Sequence, residues 1–337
     1  MKTILKATRQ CIILMAVFLL GSPAVSAQAS IRETLQSMGP SLRDDEYHGH
    51  VKIDAEVIVP DDIREPLAVY SARQIPFRTA CDLDVFSSHD VVKADQDFLL
   101  DATIYDFSDG SWVNMTDGGM LYYFGPEGDL CSSLRENAEP CGEQEAQSAA
   151  SFGLEEAERR LMEQIEKMGI PNCTVTERAA YHQDDFDLYR FRLGQMVGGV
   201  PLSCGLLHMM EIDKYVVGNT LDFTLSNSGF QIIDVMGAYE GFESLYTVTE
   251  VVPLQDALET LRAHMDVLLE KDPDLRDQVI DRIAFEYVPY RYANPQGASS
   301  YELLPAWHFY FSSSLGTSNR KSFDFCVNAI DGRMLVY

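Results

Sequence analysis

The chain carries none of the short motifs that disclose the common hydrolases and nucleotide enzymes. It has no His-Glu-x-x-His, no Gly-x-Ser-x-Gly and no phosphate-binding glycine loop. That excludes the zincin, serine-esterase and P-loop classes in their usual forms. No two cysteines stand as Cys-x-x-Cys, which excludes a thioredoxin-like dithiol and a zinc ribbon. Basic residues are scarce, with 26 Lys and Arg against 52 Asp and Glu and a net charge of −26. Such a surface repels nucleic-acid phosphates and anionic lipid headgroups, so both are poor partners. Long apolar runs are also missing, and nothing after residue 27 approaches the roughly 20 residues that cross a bilayer. Core-forming residues are plentiful: 46% of the chain is hydrophobic, enough to fold without a partner.

The beginning of the chain has a distinct pattern. Lys2, Lys6 and Arg9 precede the apolar run Cys11–Leu20, Gly21-Ser22-Pro23 interrupts it, and Val25-Ser26-Ala27 offers small residues for cleavage. The expectation is a signal peptide over residues 1–27, cut after Ala27 or alternatively after Ala29. The mature chain is then secreted or extracytoplasmic, without stable membrane insertion. Removing residues 1–27 takes away three basic and no acidic residues, leaving 23 against 52 and a net charge of −29. Six cysteines remain: Cys81, Cys131, Cys141, Cys173, Cys204 and Cys326. An exported protein can oxidise them. Cys131 and Cys141 share one loop and are the candidate disulfide, with the others read as small buried hydrophobes.

Alternation predicts strands from His48 to Val59, with Val51, Ile53, Ala55, Val57 and Val59 on one face. Further strands are expected at Leu67–Phe77, Leu99–Phe107 and Met120–Phe124, and a helix near Ala80–Ala94, with Ser108–Gly119 rich in turns. Residues 28–124 therefore read as a small amino-terminal α+β domain, and the polar, acidic residues 125–150 as a linker. Leu154-Glu155-Glu156-Ala157 and Leu254-Gln255-Asp256-Ala257 then open two amphipathic helices 100 residues apart. Strand patterns follow each, with hairpin turns at Ser226–Gly229 and Asp331-Gly332. The expected fold is α+β: antiparallel sheets each packed by a helix, in a tandem duplication with lobes over 151–250 and 251–337.

Candidate chemistry is thin. His48 and His50 have a spacing that binds metal, but lack a third ligand. Asp106, Asp109 and Asp117 surround glycines without matching a calcium loop. Ser203-Cys204-Gly205 lies near His208, although sequence proximity does not establish a nucleophile and its base. Asn114-Met115-Thr116 and Asn172-Cys173-Thr174 match glycosylation sequons. No catalytic residue, cofactor or metal site is expected.

Aromatic residues crowd the last 55 positions. Trp307, Phe309 and Phe311 alternate onto one strand face, and His308 and Tyr310 onto the other. His308, Tyr310, Tyr290 and Tyr292 are the candidate binding surface. The helix openings, the run Leu304-Pro305-Ala306-Trp307 and the turn Asn328-Ala329-Ile330-Asp331-Gly332 resemble the PepSY-like and YycI-type extracytoplasmic domains. The resemblance is best over residues 253–337 and looser over Gly153–Val252. It implies a helix across an antiparallel sheet, and a regulatory or inhibitory module that binds other proteins and has no catalytic residues. The leading expectation is an exported, non-enzymatic module whose partner is an extracytoplasmic protein or peptide. The alternatives are a surface structural or glycan-binding protein, favoured by exposed aromatics in a groove, and a hydrolase of unrecognised type, which needs a pocket where a histidine or paired carboxylates converge.

Overall fold

The computed structural model describes residues 30–37, 39–48, 51–97, 101–141, 153–183, 186–204, 206–209, 214–271, 278–291, 300–313 and 324–336. The expected signal peptide, with both cleavage positions, lies outside them.

A short helix α1 (Ile31–Gln36) leads into a hairpin of β1 (Ser41–His48) and β2 (Val51–Ile58). The alternation in β2 holds: Val51, Ile53, Ala55 and Val57 are buried, while Lys52, Asp54 and Glu56 are exposed. His48 instead ends β1 opposite Val51, and His50 lies outside the described residues. After β3 (Leu67–Gln74), the helix expected near Ala80–Ala94 is replaced by three short elements. These are α2 (Phe77–Ala80), a 3-10 turn at Leu83–Val85 and β4 (Val91–Asp97). Ser87-Ser88-His89-Asp90 turns the chain, and the β-branched pair Val91-Val92 favours extension. A meander continues through β5 (Ala102–Phe107), β6 (Trp112–Thr116) and β7 (Leu121–Phe124). β6 occupies part of the stretch that reads as turns. The supposed linker holds α3 (Gly128–Asn137), which buries Cys131 and Leu134 one turn apart.

Both predicted amphipathic helices form, as α4 (Leu154–Lys167) and, after a second run of strands, α5 (Leu254–Lys271). Gly169 ends α4 at φ +70, where the Ile170 amide donates to the Ile165 carbonyl at 3.2 Å. Between the helices lie β8 (Cys173–Gln183), β9 (Phe186–Val197), β10 (Val200–Pro201), β11 (Leu206–Met209), β12 (Lys214–Val217), β13 (Thr220–Ser226), β14 (Gly229–Met236) and β15 (Tyr239–Val248). After α5 come β16 (Gln278–Arg291), β17 (Ser300–Ser313), β18 (Asp324–Asn328) and β19 (Met334–Val336).

These strands form two sheets. Sheet I runs β8-β9-β13-β14-β7-β6-β5-β4, with β10 also on β9. Sheet II runs β1-β2-β16-β17-β18-β19-β11-β12, with β3 on β17 and β15 on β3. Apart from the parallel pair β2–β16, neighbours are antiparallel. The strand order after α4 (β8-β9-β13-β14) matches that after α5 (β16-β17-β18-β19). β10 to β12 are an insertion in the first meander. Residues 28–124 do not pair as a unit: β1 to β3 join sheet II, and β4 to β7 join sheet I. A local pattern specifies a strand and its buried face, but not which distant strand it will meet.

Two main buried clusters result. Ala157, Leu161 and Ile165 of α4 share one with Phe191, Phe223 and Ile233 of sheet I. Leu254, Leu258 and Leu261 of α5 share the other with Phe285, Trp307 and Phe309 of sheet II. Pro305 sits in the middle of sheet II, where a missing N–H is normally costly. Its carbonyl accepts from the Ala329 amide at 2.8 Å, so its nitrogen faces the same side. There β17 exchanges β3, paired through Leu303, for β18, paired from Ala306. The proline therefore interrupts no continuous ladder. At Asp331-Gly332 the predicted hairpin forms with Gly332 at φ +74, and Asn328 Oδ1 accepts from the Ile330 amide at 2.9 Å.

Candidate functional site

The predicted aromatic face is present but closed. His308 is fully buried, Tyr290 is buried and Tyr310 is half-buried; Tyr292 lies outside the described residues. They do not form a surface. Tyr290 lies beneath the Arg333 guanidinium, 5.6 Å from its ring centroid. His308 and Tyr310 instead build a polar knot around Glu286, which cross-strand register brings to the same face. The His308 Nδ1–H donates to Glu286 Oε2 at 3.0 Å, and the Tyr310 hydroxyl donates to the same oxygen at 2.7 Å. Arg282 donates to Oε1 at 3.2 Å and lies over the Tyr310 ring. The His308 and Tyr310 rings stack with centroids 3.9 Å apart. A carboxylate this buried is tolerated only with such partners. Asp324 Oδ2 is 4.0 Å from His308 Nε2; burial pushes its carboxyl up, and His308 pulls it back.

Cys204 meets the knot from the loop after β10, with its sulfur 3.6 Å from the Tyr310 hydroxyl. Burial pushes its thiol up, the opposite of what an activated nucleophile needs. His208 falls on β11, opposite Tyr215. The knot holds its titratable groups around one shared acceptor, Glu286, while His308 Nε2 and Arg282 Nε are buried without a hydrogen-bond partner.

Just outside the knot the two sheets meet at a cleft of about 1220 Å³. The strap Val200–Cys204 crosses its edge. Pro201 pairs with Met196 of sheet I, and the Ser203 amide donates to the Tyr287 carbonyl of sheet II at 2.9 Å. Gly198 and Gly199, at φ +60 and +83, turn the chain into this strap. A Cβ on Gly199 would stand 2.0 Å from the Asp62 carbonyl oxygen, so only glycine fits both the turn and the approach. Arg282 and Glu286 line one wall of the cleft, and Arg190, Arg192, Asp222 and Asp234 the other.

Register explains the second wall. Glu177, Arg192, Asp222 and Asp234 stand opposite one another across β8, β9, β13 and β14. The Arg190 Nε donates to both Asp222 oxygens at 3.1 and 3.0 Å, and the Arg192 Nε reaches the same carboxylate at 3.4 Å. Asp234 directly faces Asp222; burial first, and then the Asp222 charge, push its carboxyl up. Such a wall presents fixed charges beside the half-buried Met196 and the strap's Pro201. Among the residues not foreseen here, Arg190 and Arg192 did leave a signal: polar residues at alternate positions of an otherwise apolar strand.

The remaining candidates separate. All six described cysteines are free thiols. Cys131 points from α3 into a cluster with Tyr181, Leu188 and Ile232, and burial pushes its thiol up to about 12. The Cys141 amide is tied to the Ala180 carbonyl at 2.7 Å. The expected Cys131–Cys141 disulfide is therefore not formed. Asp109 accepts from the Ser111 amide and hydroxyl, whereas Asp117 binds Arg78. Among the described residues no group of three His, Cys, Asp or Glu is placed to hold a metal. Asn114 lies within β6, and Asn172 adopts φ +59 in the turn after α4. Among the described residues no helix is long and apolar enough to cross a membrane.

No family model and no curated protein matches the chain. Among solved structures, an uncharacterized protein from Eubacterium rectale is similar at TM-score 0.60 and 15% identity. That match covers 90% of this chain and 97% of the other. The Bacillus megaterium YpeB C-terminal domain, PepSY-related, matches at TM-score 0.30 and 10% identity, over 76% of this chain and 92% of that domain. The first likeness concerns the fold alone. It extends over nearly the whole length of both chains.

Proposed function

We propose that this chain is an exported, non-enzymatic module that holds an extended segment of an extracytoplasmic protein or peptide in the cleft between its two sheets, in a regulatory or inhibitory role. The observation that carries this reading is the cleft itself, an open trough with apolar side chains and fixed ion pairs along both walls. Walls of this composition suit an extended chain, whose side chains take the apolar steps and whose peptide groups meet the charges. The signal-like residues 1–27 support export. The matching strand order supports a tandem pair of lobes, each a helix with a four-stranded meander, with the cleft at their junction. A hydrolytic reading through Cys204 is weakened, since burial pushes that thiol up.

A second reading, glycan binding, is weakened at Trp307, which is fully buried and donates its indole N–H to the Val252 carbonyl at 2.9 Å. Photo-cross-linking tests the first. A photoreactive residue replaces Met196 in the cleft or, as a control, Met162, which is 40% exposed on α4. In native extracellular material the expected result is a discrete adduct at position 196 and none at 162. Equal labelling at both positions, or none at 196, would overturn the proposal.

A further inference from the structure

Sheet I presents an aromatic surface just beyond the cleft that the cleft reading does not use. Trp112 of β6 and Tyr122 and Phe124 of β7 share the outer face and are each half-buried. Their ring centroids lie 5.3, 5.9 and 6.4 Å apart, with planes inclined by 35°, 23° and 17°. Three rings in a column would put the outer pair at nearly the sum of the other two distances. Three nearly equal sides with nearly parallel planes mean that the rings tile a surface. α3 covers one corner: a Cβ on its first residue, Gly128, would stand 2.5 Å from the Phe124 ring. The open corner is Trp112 and Tyr122.

Carboxylates border that corner on both sides. Asp106 stands opposite Trp112 and Asp234 opposite Tyr122. The cations nearest this corner have partners: Lys93, which stands opposite Asp106, pairs with Asp95, and Arg135 binds Thr224 and Asp222. Arg190 and Arg192 farther along the face also hold Asp222. Asn114, opposite Tyr122, holds a buried Oδ1 with no hydrogen-bond partner. The chain as a whole has twice as many acidic as basic residues.

From this geometry we propose that the Trp112–Tyr122 tile binds the guanidinium or ammonium group of a basic side chain on a peptide partner. The cation lies over the rings and is held at its edge by Asp106 and Asp234. A planar guanidinium stacks on an aromatic face while keeping its N–H groups free for carboxylates, so tile and border act on one group together. A neutral sugar would gain nothing from the surrounding negative field, whereas a cation is drawn in by it. The inference rests on the peptide-binding reading, because Tyr122 and Asp234 line the cleft as well as the tile.

The chain's two tryptophans make the test direct. Trp307 is fully buried and Trp112 half-buried, so a ligand-induced change in indole emission reports Trp112. The chain from Gln28 onward is titrated with acetyl-tetra-arginine amide, and separately with acetyl-tetra-glutamine amide and cellotetraose. The expected result is a saturable change with tetra-arginine alone. Y122A and D106N should each weaken it roughly three- to thirty-fold, with unchanged circular dichroism. A saturable response to cellotetraose instead would assign the tile to sugars and overturn the proposal. So would tetra-arginine binding that both substitutions leave untouched, which would be diffuse attraction to an acidic surface. Failure of tetra-arginine to bind while the Met196 cross-link persists would sink this inference and leave the cleft reading standing.

Discussion

The two sheets use the same meander after the same kind of helix, but they dispose of their second face in opposite ways. In sheet II the face bearing Arg282, Glu286, His308 and Tyr310 gathers its polar groups into one knot around Glu286, and only its Arg282–Glu286 edge reaches the cleft. In sheet I the corresponding face carries Arg192, Asp222, Asp234, Tyr122 and Trp112 and lines a cleft or meets solvent. The insertion β10 to β12 accounts for much of the difference. It arises within the first meander yet crosses to the second, where β11 pairs with β19 and the strap contacts Tyr287 and Tyr310. One lobe thus supplies a cover for the other and leaves its own face open. One polar face is drawn into a knot at the edge of the cleft, and the other stays spread along the cleft wall and the surface beyond it.

The largest expected effect separates the two tryptophans. Trp307→Ala removes a fully buried side chain and the indole hydrogen bond to Val252, and should cost about 3–5 kcal/mol in urea unfolding. Trp112→Ala, on the open face, should cost under about 1 kcal/mol. Equal losses would mean that the tile is as structural as the core. Next in size is the knot. Glu286→Ala leaves Arg282, His308 and Tyr310 without their shared acceptor in a site that is 3% exposed at Glu286, a loss of about 3 kcal/mol. Glu177→Ala breaks an exposed pair with Arg192 on the other sheet, and should change stability by less than about 1 kcal/mol.

The junction between the sheets comes third. Gly199→Ala places a methyl group against the Asp62 carbonyl oxygen at a positive φ, and should cost about 2–3 kcal/mol. Because the strap turns at this residue, the loss should come with exposure of Cys204, read as faster labelling by a thiol reagent in the folded state. Slowed or unchanged labelling would show that the sheets are held together elsewhere.

What could be read from the sequence divides along the line between local and distant. The two helices, the Asn328–Gly332 turn and the alternation of Val51 to Val57 are set by neighbours in the chain, so period and turn chemistry disclosed them. The parallel pairing of β2 with β16, more than 200 residues away, is a tertiary choice that no local pattern carries. His308 and Tyr310 share one strand face, as alternation predicts. Alternation says which residues share a face, not what covers it, so a buried knot read as a surface. Glu286, set between Phe285 and Tyr287 and four residues from Arg282, carries the clue, since a charge among large apolar neighbours calls for partners. The aromatic tile was lost because Trp112 lies in a five-residue strand within a glycine- and aspartate-rich stretch that reads as turns.

The smallest effect bears most directly on the open face. Asp234 is held above the usual carboxylate range by burial and by Asp222 opposite, with Arg135 pulling it down. The folded chain therefore binds this proton more tightly than the unfolded chain does. The group's favourable contribution is complete below the unfolded carboxylate range and is lost as pH rises through the folded-state value. Asp234→Asn should then make the protein more stable than wild type at pH 7, by under about 1 kcal/mol because water screens the cleft. The gap should close as pH falls toward about 3. The same substitution removes one border of the tile and should weaken tetra-arginine binding at pH 7. A variant that gains stability and loses the cation would show that the open face keeps a carboxylate at the expense of the fold, as binding sites commonly do. A variant that loses both would place Asp234 with the structural charges of sheet II, and the contrast between the two faces would be one of exposure alone.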